Sequence, residues 1–322
     1  MISRDMTTEP ETSIVSSAFY LLAKSTELSL GEYTSITQSQ ADIERYLVQY
    51  LDTFSTVVFG AFSRKTIVSP LHGSIVDMLV LFREADAKQV MPSRLFSHLY
   101  DALIEQYPDT YKLENRNVLV LVVNGFHYRI QPAYPVSAHV YMLPDEKFND
   151  WARYDIASYN EIFSKQNVRH KGRLIDIIRI IKTWNRVSGN FFNGYYLELL
   201  VTEVLSDHEI TSYQEALRHI FRTAVAKVVF QQHDPANMEF QVEGLNDISD
   251  LIKVMKLLQK CFHLANEAVM HEHDNNTKMA LDNWNLIFPG VFPSHVDMVV
   301  GRARSAGVKG ADALRMMINS SH

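Results

Sequence analysis

Cysteine is nearly absent from this sequence, since 322 residues include one, Cys261. A single thiol excludes a disulfide within the chain and a zinc site built from several cysteines, and such sparing use is typical of a reducing compartment. The amino-terminal segment is polar and acidic and has no apolar stretch of the kind that secretory signals contain. We therefore expect a cytoplasmic protein.

Long apolar runs and an excess of positive charge are also missing. Stretches such as 118–123 are far shorter than the ~20 residues of a membrane-spanning helix, so we expect no membrane partner. Asp and Glu number 37 against 31 Lys and Arg, a formal net charge of −6. A net acidic chain is not a general binder of polyanions, so nucleic acid is not an expected partner. Any nucleotide site must be a local basic pocket.

What the sequence does contain is an ordinary globular composition, with 47% hydrophobic and 21% charged residues. Apolar spacing predicts amphipathic helices in the first half, and β-branched or alternating runs predict strands between them. The helices are predicted at 12–25, 38–55 and 92–107, and the strands at 56–59, 77–82, 118–123 and 126–131, the last two joined by an Asn124-Gly125 turn.

From about residue 155 onward the pattern is almost entirely helical, and it is strongest at 170–187. The connection at 144–158 is polar. We predict an α+β core with a mixed sheet over 1–155 and a helical domain over 156–322. The helix at 170–187 would back onto the sheet, and the cleft between the domains would hold a ligand.

Nucleotidyl transfer by two metal ions about 4 Å apart needs several carboxylates that converge on them. Residues i and i+2 of a strand face the same side, so Asp-x-Asp on one strand and a third acid on its neighbour can meet. A Gly and a small polar residue at a nearby helix start offer N–H groups and a hydroxyl to phosphates. This sequence has that frame in the strand ending at Gly60 and in the second strand entered through 70–77 (PLHGSIVD).

The frame resembles that of the CD-NTases, the bacterial cGAS/DncV-like nucleotidyltransferases related to oligoadenylate synthases. Further segments resemble family motifs in the same order along the chain. They are FHYRIQPAY at 126–134 (the third-acid strand), PDEKFNDWARYDIASYN at 144–160 (the linker), RIIKTWN at 179–185 (Arg-Ile-x-Lys-x-Trp), GYYLELL at 194–200 (Ser-Tyr-x-Leu-Glu) and the tryptophan-to-proline signature at 280–293. The resemblance implies a polymerase-β-type nucleotidyltransferase core followed by a helical carboxy-terminal domain.

The departures from the family pattern fall at the residues that carry the chemistry. Ala61 stands where the family has the Ser after Gly60, Ile75 where it has the first Asp, Arg129 where it has the third acid, and Gly194 where it has a phosphate-contacting Ser. Asp77 is the aligned carboxylate that remains, and one carboxylate cannot hold two divalent ions. With Arg129 beside it, Asp77 is expected to form an ion pair.

Several residues keep two interpretations. Asp77 is either a surviving metal ligand and catalytic residue or the ion-pair partner of Arg129, which itself either contacts an anion or only pairs. Lys182 either contacts phosphate, as the resemblance implies, or is a solvated helix lysine. The segment 63–66 (SRKT) is either a phosphate-binding turn or a polar loop. The nucleotide-binding candidates are Gly60, Ala61, Ser63, Lys65, Arg129, Lys182 and Tyr195.

Two further groups have both a functional and a structural interpretation. The histidines at 263, 271 and 273 suggest zinc, but adjacent helix positions do not share a face, which disfavours such a site. The basic group at 169–173, with Arg169, His170, Lys171 and Arg173, is either a surface that steers a nucleotide or RNA or a solvated helix end.

Three functional hypotheses follow. The resemblance implies bacterial anti-phage signalling, where a degenerate CD-NTase-like pseudoenzyme would bind a nucleotide, a nucleotide-derived signal or a protein partner from the same defence system. An active enzyme would instead make a cyclic or linear oligonucleotide messenger from nucleoside triphosphates. It would need Mg²⁺ or Mn²⁺, with Glu84 or Asp86 joining Asp77. The third hypothesis is a structural subunit of a defence complex. A metal cofactor is expected only for the active enzyme.

Overall fold

The computed structural model describes residues 13–51, 53–71, 73–112, 118–145 and 149–305. Within these ranges no helix has the length and the hydropathy that crossing a membrane would require. The carboxy-terminal part of the predicted helical domain beyond residue 305 lies outside the described residues.

The amino-terminal half alternates helices and strands. Its elements are α1 (Ile14–Ser25), α2 (Leu30–Tyr50), β1 (Thr53–Phe59), α3 (Gly60–Ser63), β2 (Ile75–Phe82), α4 (Glu84–Ala87), α5 (Pro92–Gln106), β3 (Tyr111–Lys112), β4 (Leu119–Val123), β5 (Phe126–Ser137), β6 (Val140–Asp145) and β7 (Asp150–Asp155).

The second half is mainly helical. Its elements are α6 (Ile156–Arg169), α7 (Arg173–Val187), α8 (Gly194–Val204), α9 (Tyr213–Lys227), β8 (Gln232–Asp234), β9 (Asn237–Val242), α10 (Leu251–His273), α11 (Thr277–Ile287) and α12 (His295–Ser305).

A mixed sheet forms the centre of the first half, as the sequence predicts. Its strands run in the order β1-β2-β5-β4-β3, and the long strand β5 continues into a β5-β6-β7 extension. β2 and β5 are parallel, whereas β1 and β4 pair with them antiparallel. The parallel register places Asp77 directly opposite Arg129 and Ile75 opposite His127. The α+β fold class is confirmed.

The two faces of β2 meet different surroundings, because alternate side chains of a strand point in opposite directions. Val76, Met78 and Val80 are buried in the core under α2 and α5. On the other face, Leu79 and Leu81 lie in a smaller apolar cluster. Asp77 shares this second face. β2 is therefore apolar on one side along its whole length and changes from polar to apolar along the other.

The helical core also takes in the first helix of the chain. Phe19 of α1 packs edge-on against Trp284 of α11, with ring centroids 4.8 Å apart, and lies 4.8 Å from the ring of Phe292. Trp184 of α7 packs against Phe221 of α9 in the same cluster. The amino-terminal helix thus ties the start of the chain to its helical end.

The structure differs from the sequence prediction in three places. The second helix covers Leu30–Tyr50 instead of 38–55, because a reciprocal capping box of Ser29 and Glu32 starts it earlier and the residues from Thr53 onward belong to β1. The polar connection at 144–158 contains strand β7, which pairs with β6; polar residues suit a strand that has one neighbour. The helical half also contains the short β8–β9 hairpin.

Candidate functional site

An ion pair occupies the position where the family would place its converging acids. Nε of Arg129 donates a hydrogen bond to Oδ1 of Asp77 at 2.6 Å, and Nη2 approaches the same oxygen. The Asp77 side chain is 12% exposed and that of Arg129 is 40% exposed. The strand register brings the two residues together, so the predicted ion pair is confirmed.

Gly60 is required by its backbone angle and by its contact with Asp77. It has a φ of +66°, and a Cβ built on it would lie 2.6 Å from Oδ2 of Asp77. Phe59, just before it, is in register with Asp77 across the β1–β2 pair. The first turn of α3 therefore packs directly against the second oxygen of the carboxylate. Any larger residue at position 60 would displace one of them.

No second acid replaces the missing one on β2. Ile75, two residues before Asp77 on the same face, is 43% exposed and offers no ligand atom. Glu84 and Asp86, suggested as substitutes, were wrong: they lie on α4, beyond the opposite end of β2. At ~3.3 Å per residue, they are roughly 20 Å along the chain from Asp77. Glu84 instead pairs with Lys88, the residue that directly follows α4.

A buried charge cluster joins the segment after α3 to the helical half. Glu198 of α8, whose side chain is 1% exposed, accepts hydrogen bonds from Nε of Arg64 at 2.8 Å and from Oγ1 of Thr66 at 2.6 Å. It also forms an ion pair with Lys182 of α7. Nζ of Lys182 donates further to the carbonyl of Thr66 at 3.2 Å. Buried charges are tolerated when paired and hydrogen-bonded, as these are.

The pKa values within this cluster follow from burial and from charge pairing. Burial raises the pKa of Glu198, but Arg64 and Lys182, with hydrogen bonds from Lys182 and Thr66, outweigh it and hold the pKa at about 2. Burial lowers the pKa of Lys182, and the charge of Glu198 acts against this effect. Glu198 is therefore ionised at neutral pH.

For both Lys182 and the 63–66 segment, the structural interpretation given above needs correction. Lys182 is not a solvated helix lysine, because its side chain is 12% exposed and faces Glu198. The segment is not merely a polar loop, since Arg64 and Thr66 are buried on that same carboxylate. Sequence reasoning missed Glu198 as a site residue. Its signal was an acid between apolar residues at 194–200 (GYYLELL).

Tyr195 belongs to the same cluster, through a second buried acid that the sequence did not reveal. Its hydroxyl donates to Oδ1 of Asp234 at 2.8 Å, and the hydroxyl of Tyr154 donates to Oδ2. Burial raises the pKa of Tyr195, and the neighbouring Tyr154 and Asp234 raise it further. The guanidinium of Arg64 lies 4.7 Å from the ring centroid of Tyr159 and 5.5 Å from that of Tyr195. These stacking contacts fix the orientation of Arg64.

The other predicted nucleotide-binding residues lie around this centre. Lys65 and Ser63 are exposed, and Lys65 has a φ of +60°. The hydroxyl of Ser63 donates to the carbonyl of Gly60 at 3.0 Å. Ala61 is half-buried and packs with the apolar core under the sheet. A Cβ on Gly194 would make ordinary contact with Cε of Lys182 at 3.7 Å.

The residues present do not fit a two-metal centre. Asp77 is the carboxylate at the end of the β2–β5 pair, and its Oδ1 already accepts from Arg129. In the part of the chain that the structure describes, no group of three or more His, Cys, Asp or Glu side chains could hold a metal ion. A pair of divalent ions needs several converging oxygen ligands, and the charge of Arg129 opposes their binding.

The basic group at 169–173 is partly structural. His170 is buried, with 4% of its surface exposed, so the group is not simply a solvated helix end. Nη1 of Arg173 donates to the carbonyl of Thr211 at 2.9 Å, and Arg169 contacts the carbonyl of Ser206. These bonds fasten the end of α6 and the start of α7 to the loop after α8.

Comparison with known proteins gives consistent results for sequence and fold. The model of the Second Messenger Oligonucleotide or Dinucleotide Synthetase domain matches residues 14–167. A probable cyclic nucleotide synthase of Bacillus cereus (strain VD146) is 23% identical over 274 residues, covering 74% of this chain and 82% of that protein.

Solved structures match over most of the chain. Escherichia coli MS115-1 CdnC with ATP has a TM-score of 0.67 at 16% identity, covering 86% of this chain and 98% of that one. Bradyrhizobium diazoefficiens CdnG, a CD-NTase in complex with GTP, has a TM-score of 0.63 at 10% identity, covering 85% of this chain and 98% of that one. These likenesses establish the fold. Together with the domain match and the curated relative, they show that this chain is similar to the CD-NTases.

Proposed function

We propose that this chain is a CD-NTase pseudoenzyme that binds a nucleoside triphosphate, or a signal derived from one, without transferring a nucleotidyl group. Its ligand site would lie between the β2–β5 strand ends and helices α7 and α8. The observation that carries the proposal is the Asp77–Arg129 ion pair at the position of the converging carboxylates. The biological setting that we propose is bacterial anti-phage defence, by analogy with the family.

The charge distribution around the cleft favours an anionic ligand. Arg64, Lys65, Lys182 and Arg129 bring four positive charges, and Asp77, Glu198 and Asp234 bring three negative ones, which leaves a formal charge of +1. The whole chain has a net charge of −6. A local positive region in an acidic protein attracts phosphate groups while the remaining surface repels long polyanions. CdnC and CdnG, which share the fold, have been solved with ATP and with GTP.

The same arrangement supports the absence of catalysis. In-line nucleotidyl transfer by two metals relies on cations that stabilise both the attacking and the leaving oxygen. Asp77 is committed to Arg129, and Ile75 cannot bind a cation. The chain's own residues therefore supply binding and orientation to the phosphates, but no set of carboxylates to activate a hydroxyl nucleophile.

An active second-messenger synthase is the alternative function. It is favoured by the description of the matching domain and by the Bacillus cereus relative, which is described as a probable cyclic nucleotide synthase. An active enzyme of this sequence would require a metal arrangement that does not depend on acids at positions 75 and 129.

Incubation with nucleotides distinguishes the two functions. The purified chain would be mixed with labelled ATP, GTP, CTP and UTP and either Mg²⁺ or Mn²⁺, and the products separated by chromatography. Asp77→Asn would be run beside Asp86→Asn, a control on the exposed surface of α4. We expect no product, together with saturable protection against thermal unfolding by at least one nucleotide. A product that Asp77→Asn abolishes and Asp86→Asn preserves would refute the pseudoenzyme proposal.

A further inference from the structure

We propose that Arg129 supplies the positive charge that divalent ions supply in a two-metal nucleotidyltransferase, so that this site binds nucleotide phosphates without Mg²⁺. The inference rests on the proposed function and specifies how that site recognises its ligand. These residues do not fit a metal centre, and in this proposal Arg129 takes the place of the metal ions in binding phosphates.

Arg129 has the position and the anchoring that this role requires. It extends from β5, the strand parallel to β2, at the register position opposite Asp77. Its Nε and Nη2 both lie on Oδ1 of Asp77, while 40% of the side chain remains exposed. A guanidinium is planar and permanently charged, and it suits phosphate oxygens better than a flexible ammonium group does. The pairing therefore presents a fixed positive charge at the strand ends.

Asp77 serves as the support of Arg129 in this arrangement. One of its oxygens accepts from Arg129, and the other lies so near Gly60 that a Cβ there would be 2.6 Å away. A divalent ion that took Asp77 as a ligand would have to displace Arg129 or lie beside its charge. A divalent ion and the guanidinium of Arg129, both in contact with Asp77, would repel each other, particularly in a partly buried site.

The remaining cations are less suited to replace a metal. Arg64 and Lys182 are buried, with side chains 8% and 12% exposed, and both are held by Glu198. Lys65 is exposed and carries its charge at the end of a flexible four-carbon side chain. Arg129 combines anchoring by a carboxylate with a side chain that is 40% exposed. We therefore expect the affinity for phosphates to depend on Arg129 most strongly when no metal ion is present.

Equilibrium dialysis of labelled ATP against the full chain tests this, once with EDTA and once with Mg²⁺. We expect saturable binding with a similar Kd in both buffers. Arg129→Gln should weaken ATP binding in EDTA by about tenfold, the order of effect of one charge-assisted bidentate contact. The matched control is Arg83→Gln, an exposed arginine just beyond the opposite end of β2, which should keep the wild-type Kd.

The outcomes separate this inference from the function on which it rests. Absence of binding by ATP, GTP, CTP and UTP alike in both buffers would overturn the proposed function. Binding that requires Mg²⁺ would overturn the role of Arg129 and leave the nucleotide site in place. Unchanged affinity of folded Arg129→Gln in EDTA would also overturn it. If Arg129→Gln does not fold, the comparison of wild-type chain in EDTA and in Mg²⁺ still decides the question.

A gain of metal binding provides a second, independent readout. The double variant Ile75→Asp, Arg129→Asp restores acids at the two positions that flank Asp77 in the sheet. Mn²⁺ titration followed by electron paramagnetic resonance should detect a bound ion in the double variant and none in the wild-type chain. Stoichiometric Mn²⁺ binding by the wild-type chain would refute the argument that Arg129 excludes the metal.

Discussion

Replacing Asp77 with Asn should strengthen ATP binding in the absence of metal, which is opposite to the effect expected in a metal-dependent enzyme. The variant keeps the shape of the side chain and removes its negative charge. In the wild-type site that charge repels phosphate and partly neutralises Arg129, which donates to Asp77 at 2.6 Å. The amide oxygen of an asparagine at position 77 can still accept a hydrogen bond from Arg129, so the guanidinium keeps its support while the repulsion between residue 77 and the phosphates is removed.

The size of the effect follows from the exposure of the pair. A unit charge ~6 Å from a phosphate contributes roughly 3 kcal/mol of repulsion at an effective dielectric constant of ~20. Arg129 is 40% exposed, so water screens much of this repulsion. We therefore expect a gain of about 1 kcal/mol in binding free energy, or roughly a fivefold lower Kd. Loss of the ion pair should cost stability of a similar size, about 1 kcal/mol or less.

Isothermal titration calorimetry with ATP in EDTA measures this directly, and Asp86→Asn serves as the control for losing an acid elsewhere. A Kd for Asp77→Asn that is higher than the wild-type value would contradict the reasoning. So would a Kd that depends on Mg²⁺ in the wild-type chain and loses that dependence in Asp77→Asn, because Asp77 would then be a metal ligand.

Further predictions concern the buried cluster and the two glycines of the site. Glu198 has a folded pKa of about 2 against an ordinary value of 4.5, so its contribution to stability is present above pH ~4.5 and is lost as the pH falls toward 2. This contribution is about 3 kcal/mol, and urea unfolding at a series of pH values should detect it. Glu198→Gln should cost about 3–5 kcal/mol at neutral pH, since Arg64 and Lys182 would remain buried beside a neutral amide, and an unchanged unfolding midpoint would contradict the ion-pair argument. Gly60→Ala should destabilise the chain by about 1–3 kcal/mol, because of its φ of +66° and the 2.6 Å approach to Asp77, as measured by thermal unfolding. Gly194→Ser should change stability by less than about 0.5 kcal/mol, because its Cβ would lie 3.7 Å from Lys182, and a large loss would show that the space is not available.

The ion pair between the adjacent strands β2 and β5, and the missing acids around it, were predictable from the sequence. Alternation along β2 and β5 places Asp77 and Arg129 on one face, and the order of the motifs aligns the two strands, so the ion pair could be expected. The loss of acids at Ile75 and Arg129 is likewise a property of the sequence once the frame is recognised. Periodicity also predicted the α+β class, because strands and helices bury faces of different spacing.

The buried cluster could be found only in the tertiary structure. Thr66 and Glu198 are 132 positions apart and Tyr154 and Asp234 are 80 apart, and no periodic pattern links a loop residue to an acid on a distant helix or hairpin. The burial of Lys182 was missed for the same reason. Whether a residue of α7 is exposed or buried depends on which elements pack against that helix, and here Glu198 of α8 faces Lys182. The sequence by itself indicated the resemblance to the CD-NTases through the order of its motifs, and it predicted the sheet and the loss of the converging acids, because these depend on local spacing. Only the packing of α7, α8 and the β8–β9 hairpin against the sheet decided which charges are buried and which are paired, and that Arg129 keeps 40% of its side chain exposed.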